Sequence, residues 1–282
     1  YVGVMNHGYS WFSLLDKTQG NPSSLFWSIA NRASYVFNWN GPSFAVDSAC
    51  SSSLTALHTA ILGLKNSDCE IAVVGGVNLI VHPRQYEDLC QLHMLSPRGQ
   101  CEPFAASSDG MVDGEGIVSI VIKRYQDAIA RQDKIYGVIR GSAVNAGGKA
   151  NGYTAPNPDA QATMIQKALR RAKLEESDIG YIEAHGTGTV LGDSIEIRGL
   201  TKAFSKLKKQ SIPIGSLKGN LGHLESAAGL AAVVKVLLQF KNKMLVPSIA
   251  CANENPHLQL SDSPVYVNKS LTTWPETLPM RA

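Results

Sequence analysis

The stretch Ala45-Val46-Asp47-Ser48-Ala49-Cys50-Ser51-Ser52-Ser53-Leu54 reads as a short apolar strand, a turn of small residues and the start of a helix. The helix is read from Leu54, Leu57, Ile61 and Leu62, which recur at helical spacing. Cys50 then falls near the first helical turn, where unpaired amides and the positive end of the helix dipole favour a thiolate. A thiol in that setting is a candidate nucleophile. The commoner fate of a free cysteine is to be buried as a small hydrophobe, so the reading depends on what else the chain supplies.

Two further segments repeat the pattern of a strand end followed by chemistry. Tyr181-Ile182-Glu183-Ala184-His185-Gly186-Thr187-Gly188-Thr189 is an apolar strand that ends on a histidine and breaks into alternating glycines and threonines. Ile214-Gly215-Ser216-Leu217-Lys218-Gly219-Asn220-Leu221-Gly222-His223-Leu224-Glu225 is another strand end, followed by a helix of small residues. Either histidine alone would be read first as a structural residue bonded to a backbone carbonyl.

Together, Cys50 within VDSACSSS, His185 within HGTGT, and Lys218 with His223 within SLKGNLGH resemble the active-site motifs of beta-ketoacyl synthases, in particular the ketosynthase domains of modular polyketide synthases. The resemblance runs over essentially all 282 residues. It implies that Cys50 accepts an acyl group and that a malonyl-type thioester is decarboxylated. The resulting carbanion would then attack the acyl-enzyme. His185 and His223 would stabilise enolate charge as an oxyanion hole does, and Lys218 would organise the site electrostatically. Asp193 and Glu196 match an acidic pair that could hold Lys218 or favour the start of the next helix. Thr187 and Thr189 match threonines that bond the phosphopantetheine arm of an acyl carrier protein; ordinary turn chemistry is the alternative. No permanently bound cofactor and no metal are expected. The implied partners are an acyl carrier protein, other polyketide synthase domains and a second copy of the chain.

The implied fold is the α/β thiolase-like fold, with two pseudo-symmetric halves in five layers (α-β-α-β-α). An internal similarity agrees, since Phe44 to Leu64 and Ile212 to Phe240 share the plan of strand, polar turn and small-residue helix. The second of these helices, from about 222 to 241, is apolar on nearly every face apart from Lys235 and Gln239, which places it inside a domain. The remaining pattern alternates strands with helices, an α/β arrangement. Strands are expected at 71–74, 117–122, 135–139, 179–183, 212–215 and 265–267, and helices at about 159–171 and 195–204. The polar stretch 126–134 divides the chain into halves 1–130, carrying the nucleophile, and 131–282, carrying both histidines.

Composition excludes several classes. A net charge of +3 without a basic stripe gives no footprint for nucleic acid. The best apolar run is interrupted by Lys235, so no membrane span is expected. Five cysteines without paired spacing point to a reducing cytoplasm. His82, Cys90, His93 and Cys101 have no standard zinc spacing. Gly147-Gly148-Lys149 lacks both the first glycine and the Ser or Thr of a phosphate loop, with Ala143 and Ala150 in those places.

Against the family pattern, the chain opens at Tyr1 in what resembles the strand before the catalytic region and stops before a glycine-rich oxyanion segment. It is therefore expected to be a fragment truncated at both ends, which would fold or act poorly alone. The phrases Asn151-Gly152-Tyr153-Thr154-Ala155-Pro156-Asn157-Pro158, Val112-Asp113-Gly114-Glu115-Gly116 and Pro264-Val265-Tyr266-Val267 resemble bacterial assembly lines whose acyltransferase is a separate protein. Ala146 stands where such sequences often have His. A non-elongating acyl-transferring ketosynthase and an inactive scaffold-like fragment remain the alternatives.

Overall fold

The computed structural model describes residues 1–9, 25–150, 152 and 155–282. These form two compact units: 1–92, 113–135 and 223–233 in the first, and 93–112, 136–222 and 234–282 in the second. Residues 223–233 belong to the first unit and 93–112 to the second. The physical reason for the former is a set of bonds to early residues. Gly114 N–H donates to the His223 carbonyl at 2.9 Å, Ser226 Oγ donates to the Val77 carbonyl at 2.6 Å, and Leu230 N–H donates to Ser53 Oγ at 3.2 Å.

The first unit contains β1 (Val2–Gly3), α1 (Phe26–Val36), β2 (Ala45–Val46), α2 (Ser52–Lys65), β3 (Ile71–Asn78), α3 (Arg84–Gln91), β4 (Gly116–Lys123) and α4 (Tyr125–Ala130). Its sheet runs β2-β1-β3-β4. β1 is parallel to both β2 and β3, and β4 closes the order antiparallel to β3 from Ile71↔Lys123 to Asn78↔Gly116. Along β3 burial alternates, as a half-buried strand requires. Its inward residues Ala72 and Val74 pack with Ala56, Leu57, Ala60 and Leu64 of α2 and with Leu230. The inward face of α2 thus differs in part from the expected one: Leu54 and Leu62 are exposed, while Ala56 and Ala60 are fully buried. Small side chains at those two positions let the helix approach the sheet closely. Truncating Leu230 to Ala in this core should cost about 2–5 kcal/mol.

The second unit contains α5 (Pro158–Ala172), β5 (Ile182–Glu183), α6 (Val190–Ala203), β6 (Ile212–Gly215), α7 (Lys218–Leu221), β7 (Met244–Leu245), β8 (Val265–Val267) and β9 (Thr272–Thr273), and α8 (Ala228–Asn242) supplies residues to both units. A parallel sheet runs β5-β6-β8, and β7 pairs antiparallel with β9. Its core is built on Phe104, Ile197, Leu200, Phe204, Ile212, Ile214 and Val265. α5 starts where Asn157 accepts bonds from the amides of Asp159 and Ala160, with Pro158 in the first turn, and it stops at Lys173 in left-handed conformation.

Three expectations are corrected. Residues 135–139 form no strand: the stretch is almost wholly apolar, yet it enters no ladder, and Tyr136 and Val138 are exposed. A strand exists only when a neighbour takes up its amides. The helix expected from 195 begins at Val190, since Thr189 already has the extended backbone of a residue that precedes a helix. The helix expected from 222 begins at Ala228, because Glu225 takes a left-handed φ of 45° and opens a separate short turn. Among the described residues, no helix is long and apolar enough to cross a membrane.

Candidate active site

In the first unit, β2 delivers the chain into a tight turn ahead of α2. Asp47 Oδ1 accepts the Ala49 N–H at 3.0 Å, and the carbonyls of Ser48 and Ala49 accept from Ser51 and Ser52 N–H at 3.3 and 3.0 Å. Ala49 pays for that turn with a φ of 53°, a region costly for a residue with a Cβ. Cys50 follows, half-buried, two residues before the first helical residue Ser52. Its Sγ lies 3.4 Å from Glu225 Oε2, with the thiol as donor.

His223 is 1% exposed, and its ring is oriented by its own chain. The Glu225 N–H donates to His223 Nδ1 at 2.9 Å. With Nδ1 accepting, a neutral imidazole must carry its proton on Nε2. Ligand atoms of Cys50, His223 and Glu225 all lie within 4.8 Å of one another. The backbone of His223 is tied to Asp113, whose carboxylate accepts from Gln85 Nε2 at 2.7 Å and from Gly114 N–H at 3.1 Å. Burial, with the nearby Glu225 charge second, pushes Asp113 up to about 7.

In the second unit, β5 ends at Glu183 and the chain turns through His185 and Gly186. Gly186 has φ 41°, and a Cβ there would meet Ser216 Cβ at 2.7 Å, so the turn requires glycine on both counts. Glu196 on α6 holds this turn: Oε1 accepts the His185 N–H at 2.7 Å and Oε2 accepts the Gly186 N–H at 2.8 Å. Burial raises the Glu196 carboxyl above its ordinary value. Lys218, 7% exposed, donates to the His185 carbonyl, and its Nζ stands 3.5 Å from His185 Nδ1. An ammonium only donates, so Nδ1 faces it with a lone pair and the proton of the neutral ring belongs on Nε2. Burial, with the Lys218 charge second, pushes the His185 imidazole down to about 3. The residue keeps an exposed surface, and water there solvates part of any charge. The downward direction stands because desolvation and the ammonium act in the same sense.

Asp193 is 2% exposed and spends its oxygens on the amides of Phe104 at 2.8 Å and Gly188 at 3.2 Å. It also lies in the first turn of α6, where a carboxylate suits the helix dipole. Burial pushes it up to about 7. The bonds of Asp193 and Glu196 thus hold two stretches of backbone around the HGTGT turn. Thr187 Oγ1 and Thr189 Oγ1 are 3.0 Å apart and bond each other. The expected residues are therefore brought together as Cys50 with His223 in one unit, and as His185 with Lys218, Glu196, Asp193 and the threonines in the other.

Sequence reasoning missed Glu225, Asp113 and Gln85. The first two stand inside quoted motifs, two residues after His223 and within VDGEG, but nothing in a linear pattern says that Glu225 faces a thiol 175 positions earlier. Of the residues weighed for zinc, His82 Nδ1 accepts the Arg84 N–H at 3.1 Å, Cys101 Sγ donates to the Thr187 carbonyl at 3.3 Å, and Cys90 is exposed on α3. Gly147 to Lys149 form an irregular loop. Within the phrase 151–158, residues 151, 153 and 154 lie outside the described residues.

A thiol in the turn between β2 and α2, with His223 beside it, lies in the first unit, and His185 beside Lys218 lies in the second, each unit being built on a mixed α/β frame. The chain belongs to the beta-ketoacyl synthase family: residues 1–128 match the beta-ketoacyl synthase N-terminal domain and 136–252 its C-terminal domain. It is 50% identical over 277 residues to polyketide synthase PksM of Bacillus subtilis and 47% identical over 283 residues to PksL of the same organism. Each match covers 97% of this chain and 6% of the relative. The oxazolomycin ketosynthase domain OzmH KS7 of Streptomyces albus superposes with a TM-score of 0.93 at 47% identity, over 97% of this chain and 48% of that one. The module 6 ketosynthase of the Bacillus subtilis bacillaene synthase gives 0.91 at 41% identity, over 98% and 48%. The chain thus spans about half the length of the solved ketosynthases and a small part of the curated relatives.

Proposed function

We propose that the chain is the catalytic portion of an elongating polyketide ketosynthase. The observation that most supports this is the state of the two histidines: each has Nδ1 occupied by a donor, so each offers an Nε2–H. A decarboxylating condensation needs N–H donors where enolate charge develops.

In this reading the Cys50 thiol gives its proton to Glu225, and the thiolate attacks the carbonyl carbon of an acyl thioester. The carrier thiol leaves with a proton and Cys50 holds the acyl group. A malonyl-type thioester then loses carbon dioxide. The electron pair of the broken C–C bond moves into the enolate, whose oxygen is the charge assigned to the Nε2–H groups of His185 and His223. The enolate carbon attacks the Cys50 thioester, a C–C bond forms, the C–S bond breaks, and the thiolate is restored. A non-elongating enzyme has no use for this second half, so the presence of both donors favours elongation.

The same proposal includes delivery by the phosphopantetheine arm of an acyl carrier protein, with Thr187 and Thr189 as its contacts. It also includes a cytoplasmic setting, a homodimer, pseudo-symmetric halves 1–130 and 131–282, and a module whose acyltransferase is a separate protein. In keeping with the dimer, β2 stands at one end of its sheet order among the described residues. The test is reconstitution of the complete ketosynthase domain with an acyl thioester and malonyl carrier protein. A beta-ketoacyl product with release of carbon dioxide is expected. Acyl transfer to the carrier with neither product nor carbon dioxide would establish the non-elongating reading instead.

A further inference from the structure

A buried polar cluster lies one step behind His185 and Lys218. Tyr181 is 0% exposed, and its hydroxyl donates to Glu183 Oε2 at 2.8 Å. Lys235, on α8, donates to the same Oε2 at 2.5 Å and to Tyr181 Oη at 3.0 Å; the lysine and glutamate side chains are only 8% and 6% exposed. The other carboxylate oxygen of Glu183 accepts the Leu217 N–H at 2.7 Å. Leu217 immediately precedes Lys218, and Glu183 precedes His185 by two residues. Gly215 makes room for the cluster, since a Cβ there would meet Tyr181 Oη at 2.6 Å and Lys235 Nζ at 3.4 Å.

One carboxylate therefore joins the end of the strand that carries His185 to the backbone that carries Lys218. Two residues brace it from behind. A salt bridge this buried is an expensive way to gain stability, since apolar replacements often serve as well. Its geometry specifies something instead. We propose that Glu183, braced by Lys235 and Tyr181, is a positioning residue that sets the approach of Lys218 Nζ to His185 Nδ1 and so fixes the Nε2–H tautomer of His185. Its effect on turnover rests on the ketosynthase reading above; its effect on the tautomer does not.

The test uses the complete ketosynthase domain with ¹⁵N-labelled histidine, in the parent, in Glu183→Gln with Lys235→Met combined, and in Tyr181→Phe. The combined variant leaves no unpaired charge, and Tyr181→Phe removes a single oxygen, so a folded protein remains for measurement if the larger change is not tolerated. His185 should show one Nε2–H tautomer in the parent and a mixture in the combined variant, with a smaller change in Tyr181→Phe. Decarboxylation of the malonyl thioester should fall about 10- to 100-fold in the combined variant while acyl loading stays within about threefold, a split that general loss of folded protein would not give. An unchanged His185 tautomer in the folded variants overturns the proposal. A changed tautomer in a protein whose parent performs no condensation upholds the positioning and refutes the ketosynthase reading alone.

Discussion

Replacing Lys218 by Met removes the ammonium that faces His185 and leaves a side chain of similar length. At 3.5 Å, a unit charge beside an imidazolium costs about 5 kcal/mol at an effective dielectric constant of 20 and about 1 kcal/mol in water. At 1.36 kcal/mol per tenfold change in the protonation constant, these bounds correspond to a rise in pKa of about three and a half and of about one. His185 has an exposed surface, so the response belongs toward the lower end. The sign follows from the charges: without Lys218 the protonated ring is less opposed, and its pKa rises from about 3 toward the ordinary imidazole value of about 6.5. It stops short of that value because burial, the larger cause, persists. Titration of ¹⁵N-labelled histidine between pH 4 and 8 reads this directly. The parent should keep a largely neutral His185 throughout, and Lys218→Met should show it beginning to protonate as the pH falls toward about 4. Coincident titrations, or a fall in the variant, would refute the electrostatic role given to Lys218.

Substituting His185 or His223 by Ala should lower condensation about a hundredfold or more, the scale of losing one oxyanion donor, with acyl loading retained in His185→Ala; condensation near the parental rate in that variant would defeat its role. Asp113, pushed up to about 7 from an ordinary value near 3.9, holds its proton more tightly folded than unfolded, so its contribution is full at low pH and is lost as pH rises through the interval from 4 to 7. The stability of Asp113→Asn relative to the parent should therefore improve between pH 5 and 8 in urea unfolding, and a constant difference would contradict the shift. Light scattering of the complete domain should give a dimer, and an active monomer at micromolar concentration would remove the dimer from the account.

The strand-turn-helix settings of Cys50 and of Lys218 were legible because they are local: apolar runs, small-residue turns and helical periodicity all lie within about twenty positions. The strands at 212–215 and 265–267 were legible for the same reason. Two failures have different causes. Residues 135–139 have strand composition but no distant partner to make a ladder, whereas the start of α8 is displaced locally by the left-handed backbone of Glu225. The site shows the same division. His185 and His223 could be named from their motifs, but their tautomers depend on Lys218 Nζ and on a backbone amide, which only coordinates supply. Lys235 and Gln239 were read as polar interruptions of an apolar helix. Lys235 proved to be half of a buried ion pair, and Gln239, 2% exposed, uses its Oε1 to accept the Val246 N–H at 2.9 Å.

The central claim is that Cys50 carries the growing chain. Peptide mass spectrometry of the complete domain after incubation with an isotopically labelled acyl thioester tests it, followed by a chase with malonyl carrier protein. The account predicts label on the peptide containing Cys50, none in Cys50→Ala, and movement of that label during the chase into a beta-ketoacyl chain on the carrier. Label on Cys69, Cys90, Cys101 or Cys251, or label that persists in Cys50→Ala, would contradict it.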